Sequence, residues 1–270
     1  MEQFIKALIL GMIQGLTEFL PVSSSGHLVL FSNLLNFEVS GISFDIFVHL
    51  GTLVSVLIVF RKELSKMIIA PFAVWLQKSD DPELKEFLNW DIYVVVATIP
   101  AVIVGLFFKD AIENAFTSVL FVFFMLLVTG LLMFLTQFLK NQDKPFGYTN
   151  SFFIGIAQAF AILPGISRSG STIFTGTALG IDRVKAAKFS FIMSIPAILG
   201  AAVLQLKDVL ETPPSSMEFF TFLAGGLMSA ITGYMAIIWL IKIVQRGRLQ
   251  WFGYYCFTIG TFGIIWYFVK

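Results

Sequence analysis

Two kinds of apolar segment make up this chain. Six runs are nearly free of charge: 42–60, 92–108, 115–139, a stretch that follows Lys188 and ends at Leu206, 219–241 and 252–269. Each is close to the ~20 residues a helix needs to cross a bilayer. Two further segments are apolar at their ends and broken in the middle. In the first, Gln14 and Glu18 interrupt residues 4–20. Pro21 then ends the helix, because it lacks an N–H and clashes with the preceding turn. Ser23, Ser24, Ser25 and Gly26 suit a turn and a new helix start, and a short apolar piece follows at 27–35. Neither piece spans by itself, so the pattern predicts a re-entrant hairpin. Broken backbone at membrane depth is tolerated only where protein or a polar cavity surrounds it. The second broken segment, 152–179, contains PGISRSGST at 164–172. Residues 67–86 read as a mixed linker whose end, with Lys78, Asp80, Asp81, Glu83 and Lys85, is a solvated loop.

The charged clusters between the runs set an orientation, since basic loops tend to stay cytoplasmic. Placing the basic groups of 61–66, 140–144, 183–188 and 242–248 inside gives a consistent alternation. The 109–113 loop and the acidic 208–218 loop, with Asp208, Glu211 and Glu218, then fall outside with both termini. The first hairpin enters from outside and the second from inside. A weak internal repeat agrees. Gly11-Met12-Ile13-Gln14 resembles Gly155-Ile156-Ala157-Gln158 at an offset of 144 residues. The same offset sets Ser23 on Ser167, Ser24 on Arg168, Ser25 on Ser169 and Gly26 on Gly170. The expectation is an all-α polytopic membrane protein forming one integral membrane domain over 1–270. It has six transmembrane helices plus two re-entrant helical hairpins in an inverted-topology repeat, with halves of about 1–140 and 145–270. Such repeats place polar sites near the midplane, at their interface.

Composition sharpens this picture. The 270 residues are 57% hydrophobic and 13% charged, against about 25% charged in a soluble domain. A net charge of +1 gives no reason to invoke nucleic acid. Cys256 is the only cysteine, so no intrachain disulfide forms. A cleaved signal peptide is not expected, because Glu2 offsets Lys6 and Glu18 interrupts the apolar core such a peptide needs.

The chemistry-bearing residues concentrate in the two broken stretches. An ionisable group at membrane depth costs about 2.5–3.5 kcal/mol and is usually functional. Gln14 and Glu18, four apart, share one helix face. Against a plain interhelical polar pair stands an acid, base or cation-ligand role, and proton chemistry would fall to Glu18. His27 directly after the serines suits deprotonation of a hydroxyl or protonation of a leaving oxygen. His49, in Val48-His49-Leu50-Gly51, reads as a structural or lining residue. One serine would serve as a helix cap; three, with turn N–H groups at a helix N-terminus, make an anion cradle. Arg168, flanked by Ser167 and Ser169 and lying between Gly165 and Gly170, suits a two-pronged grip on phosphate rather than snorkelling. Carboxylate, imidazole, hydroxyl and guanidinium together form a phosphoryl-transfer inventory. No Gly-Lys-Ser/Thr phosphate loop occurs, which disfavours nucleotide hydrolysis.

At these residues the sequence resembles the undecaprenyl-diphosphate phosphatases of bacteria, the bacitracin-resistance protein family. Gln14, Glu18 and residues 21–27 meet its first signature; 164–172 meet its second. The resemblance covers essentially the whole chain and implies a fold similar to that above. It also implies removal of one phosphate from a C55 polyprenyl diphosphate, with the lipid monophosphate reused as a cell-wall carrier, in the bacterial inner membrane. Carried over, Ser24 is the nucleophile. His27 and Glu18 are the acid–base and metal-linked groups. Arg168, with Ser167, Ser169 and Thr172, holds the phosphates, and Gln14, Ser23, Ser25 and Gly26 complete the substrate pocket. Serine and histidine both remain open as the attacking group. A divalent cation, Mg²⁺ or Ca²⁺, is implied by the resemblance alone, and Gln14 in place of a second carboxylate weakens any two-carboxylate site. Partners are the polyprenyl diphosphate and membrane lipids; a homo-oligomer is left open. Lipid phosphatases with a Pro-Ser-Gly-His motif make the same product but need a histidine after their Ser-Arg pair, and none follows Arg168. The alternative of another class is a secondary transporter or flippase, with Glu18 as proton site and Arg168 as anion site.

Overall fold

The computed structural model describes residues 1–37, 41–211 and 213–269, leaving aside the side chains of 41–43 and 206–210. Twelve α-helices, and no strand, occur among the described residues. They are α1 (Glu2–Phe19), α2 (Ser24–Leu35), α3 (Gly41–Val59), α4 (Arg61–Pro71), α5 (Pro82–Phe107), α6 (Lys109–Phe116), α7 (Val119–Leu135), α8 (Tyr148–Phe160), α9 (Arg168–Ala178), α10 (Arg183–Glu211), α11 (Ser216–Gln245) and α12 (Gln250–Val269). Starts follow capping chemistry. Asp81 accepts from the Glu83 N–H with Pro82 at the first helical position, and Ser215 and Glu218 form a reciprocal capping box on α11.

Five helices among the described residues, α5, α7 with its 3₁₀ extension to Phe138, α10, α11 and α12, are long and apolar enough to cross a membrane. The chain is therefore a polytopic helical membrane protein. The expected span at 42–60 is α3; Phe44–Val59 of it joins Arg61–Leu76 as one bent pair, turning by 79°. Three loop expectations are corrected. Residues 67–86 are mostly helical: α4 runs to Pro71, a π-helical turn continues to Leu76, and α5 starts at Pro82, because Asp81 and Pro82 are start signals. Residues 109–113 open α6. The acidic 208–218 loop is shorter than expected, since α10 continues to Glu211; the side chains of Lys207 and Asp208, and residue 212, lie outside the described residues.

Packing follows the internal repeat. α1 packs on α11 as α8 packs on α5, and α3 pairs with α10 as α7 pairs with α12. Gly11 and Gly155, which the repeat equates, occupy matching close approaches: a Cβ on Gly11 would lie 2.2 Å from Gly225 O, and one on Gly155 2.4 Å from Ala97 O. α7 and α12 run antiparallel, Gly130 meeting Gly253 and Phe123 meeting Gly263. All four basic clusters gather at one end. Lys188 pairs with Glu63 at 3.0 Å, Arg183 donates to Leu139 O at 2.6 Å, Lys144 N–H donates to Gly180 O at 3.0 Å, and Gly247 lies against the Arg183 guanidinium.

These contacts predict a steric result. Gly51→Ala would put a Cβ 2.1 Å from Gly226 O, a backbone atom that cannot rotate away. Overpacking of this kind costs about 1–3 kcal/mol or more. Thermal unfolding in detergent is expected to shift clearly downward. Gly105→Ala, where nothing lies within 4 Å, should leave it unchanged or raise it slightly, as alanine favours the helix by about 1 kcal/mol.

Candidate active site

The two broken stretches fold alike and meet. Ser23 caps α2 by accepting from the Gly26 N–H at 3.3 Å; Ser167 caps α9 by accepting from the Gly170 N–H at 3.1 Å. Ser25 Oγ and Ser169 Oγ each lie 3.3 Å from the capping oxygen of their own stretch. Ser23 Oγ also accepts from the Gly165 N–H at 3.1 Å, stitching the first break to the second. Ser23 holds φ 68°, a rare region for a residue with a side chain, which costs about 1–3 kcal/mol and persists where surrounding bonds enforce it.

Ser24 and Arg168, equated by the repeat, are the first residues of α2 and α9. Both reach one carboxylate. Ser24 Oγ donates to Glu18 Oε2 at 2.6 Å, and Arg168 Nη2 donates to Glu18 Oε1 at 2.6 Å. Gln14 Nε2 donates to Oε2 at 3.0 Å from one turn back on α1. Arg168 Nη1 donates to Ser190 O on α10 at 3.2 Å. Glu18 is 8% exposed at its side chain and Arg168 15%, so the ion pair is largely desolvated. Breaking such a pair by removing one partner costs about 3–5 kcal/mol. Ser24, Ser25 and Arg168 are half-buried and open to a ligand, whereas Gln14, Ser23, Gly26, Ser167, Ser169 and Thr172 are buried framework. Thr172 stands behind the guanidinium, its hydroxyl donating to Arg168 O at 2.8 Å and lying 2.6 Å from Ser190 Oγ.

Two helix N-termini thus converge on a hydroxyl, a guanidinium and a carboxylate. Their unpaired N–H groups and partial positive charge favour a phosphate there. A model of the family described as bacitracin resistance protein BacA matches residues 7–262. An undecaprenyl-diphosphatase of Halothermothrix orenii is 42% identical over 97% of this chain and 98% of its own length. One from Methanobrevibacter smithii is 44% identical over 95% of each chain, and one from Carboxydothermus hydrogenoformans 40% over 95% and 94%. The chain belongs to the BacA family.

Within this family framework His27 is placed differently from expectation. His27 is 2% exposed. Its Nδ1 lies 2.8 Å from Ser23 O; a carbonyl only accepts, so Nδ1 carries the proton. Nε2 then accepts from the Tyr255 hydroxyl at 2.7 Å, and the two rings stack. No hydrogen bond joins His27 to Ser24 among the described residues; the group that receives the Ser24 hydroxyl is Glu18. His49, read as a structural or lining residue, lines the site, with Nε2 3.9 Å from Glu18 Oε2. Tyr255 and Ser190 also belong to the site. Ser190 left a trace as a hydroxyl at the start of an apolar run; Tyr255, an aromatic in a span, left none.

A divalent cation finds a poor donor set. Glu18 Oε1 already carries a guanidinium, and Oε2 takes two donors. Gln14 Oε1 is buried without a partner, but one amide oxygen is a weak ligand. Among the described residues no three His, Cys, Asp or Glu side chains group closely enough to share an ion. An ion would compete with Arg168 for the same oxygen. The residues do not fit a resident Mg²⁺ or Ca²⁺.

Proposed function

We propose that this chain hydrolyses a polyprenyl diphosphate, namely undecaprenyl diphosphate, to the lipid monophosphate and inorganic phosphate. The observation that carries the reading is the Glu18 carboxylate held at 2.6 Å from both the Ser24 hydroxyl and the Arg168 guanidinium. A hydroxyl is a weak nucleophile until a base takes its proton, and here the base is in contact. Arg168 offers further N–H donors to the terminal phosphate and stabilises charge that builds on it. The α2 and α9 N-termini add backbone donors. His27 holds the turn that aims Ser24, through Ser23 O. The polyprenyl tail lies along the apolar helix faces. A transporter needs no serine bonded to the carboxylate, and the family relatives are named as phosphatases. The lipid monophosphate would return to cell-wall polymer synthesis, which accounts for the resistance in the family's description. Purified protein in detergent should release one orthophosphate per C55 diphosphate. No release, with uptake of the lipid across vesicle membranes, would favour the transporter.

The pocket opens outward in this reading. The basic clusters share one end, and basic ends are cytoplasmic, so the first hairpin enters from outside. In a Cys256→Ser background, Pro213→Cys should react with an impermeant thiol reagent on intact cells and Gln245→Cys should not. The reverse pattern inverts the topology and puts the site on the cytoplasmic side.

A further inference from the structure

Glu18 needs an outlet for a proton once it has accepted one. Its oxygens face Ser24, Gln14 and Arg168, and its side chain is 8% exposed. One other group faces it. His49 Nε2 lies 3.9 Å from Oε2, beyond hydrogen-bond range but within reach of a small side-chain rotation or one bridging water. His49 Nδ1 lies 2.7 Å from Asp45 O; that carbonyl accepts, so the lone pair sits on Nε2, towards Glu18. The His49 side chain is 34% exposed, so it links the buried carboxylate to the protein surface, as His27 at 2% does not. The charged groups facing it are Glu18 from α1, with Arg168 from α9 behind, and Asp45 on its own helix. α10 and α11, which also pack on α3, carry no charge over 189–206 and 219–241; α4 brings its charges only beyond Phe60, the far end of α3.

We propose that His49 carries the proton between Glu18 and solvent during turnover. The inference rests on the phosphatase reading of the Glu18–Ser24 pair. In the first half, the Ser24 Oγ–phosphorus bond forms as the bridging oxygen–phosphorus bond breaks, and lipid monophosphate leaves. The Ser24 proton passes to Glu18 Oε2, then to His49 Nε2, then to water. Glu18 is again a carboxylate when water attacks the phosphoserine. The proton that water sheds goes through Glu18 to Ser24 Oγ as the Oγ–phosphorus bond breaks, and phosphate keeps the remaining hydroxyl. One proton per cycle reaches solvent, all of it through His49, which acts through Glu18 and not on the lipid.

His49→Gln keeps a polar side chain that cannot carry a proton. Its kcat for phosphate release from C55 diphosphate should fall about 100-fold, with KM unchanged. Added imidazole should restore part of the rate, because the His49 side chain is partly exposed. Wild-type kcat at every pH, or a loss that imidazole does not lift, overturns the relay. Should the variant not fold, wild-type protein is treated with diethyl pyrocarbonate and the adduct located by mass spectrometry. Modification of His49 with loss of kcat supports the proposal, and full turnover with His49 modified overturns it. If unsubstituted protein releases no phosphate, the phosphatase reading itself has failed, which is a distinct result.

Discussion

Ser24→Ala is expected to lose turnover by on the order of 10⁴–10⁶-fold, the scale seen when a hydrolase loses its nucleophile. Substrate affinity should hardly change, because Arg168 and the helix N-termini remain. Folding should hold as well. Ser24 Oγ donates to Glu18 Oε2, and in the variant Gln14 Nε2 still donates to that oxygen. The neighbouring serines cannot substitute. Ser23 Oγ is committed to the Gly26 and Gly165 N–H groups, and Ser25 Oγ lies against Ser23 Oγ. Rapid quenching with labelled terminal phosphate should trap label on Ser24. Label on His27 would make histidine the nucleophile. No label at any time, with Ser24→Ala still active, would mean direct attack by water.

Arg168→Lys is expected to lower kcat about 10²–10³-fold, the effect of removing one preorganised donor to developing charge. The guanidinium spans Glu18 Oε1 at 2.6 Å and Ser190 O at 3.2 Å with two different nitrogens and keeps further N–H groups for phosphate. A lysine ammonium is a single point on a flexible stem. It satisfies Glu18 or the phosphate, while Ser190 O loses its donor. Stability should fall much less than in Arg168→Ala, which strands the buried Glu18 charge and should cost about 3–5 kcal/mol. Near-normal turnover in a folded lysine variant would show that charge alone suffices. Combining Glu18→Gln with Arg168→Lys tests the coupling: two groups acting as a unit lose far less together than the product of their single losses.

The helical membrane class, the two breaks and the polar stretches at 14–27 and 164–172 were legible in the sequence. Each is local: a run of apolar residues, a proline that cannot continue a helix, a serine placed to cap the next one. The weak repeat was legible too, and it led to the equivalence of Ser24 and Arg168. Helix ends were less legible. α5 starts at Pro82 inside charged sequence, because a good start signal extends a helix past the apolar run it serves.

What the tertiary structure alone decided is which polar groups touch. Glu18 meets Arg168 across 150 positions, and His27 meets Tyr255 across 228. His49 turns to Glu18 while His27 turns away from Ser24. A one-dimensional pattern says which residues share a helix face, but not how far each helix is rotated about its axis when it docks. That rotation is set by contacts such as Gly11 on Gly225 and Gly51 on Gly226, where the absence of a side chain lets two backbones approach. Those contacts fix the carboxylate between the hydroxyl and the guanidinium, and so make one site of two distant stretches.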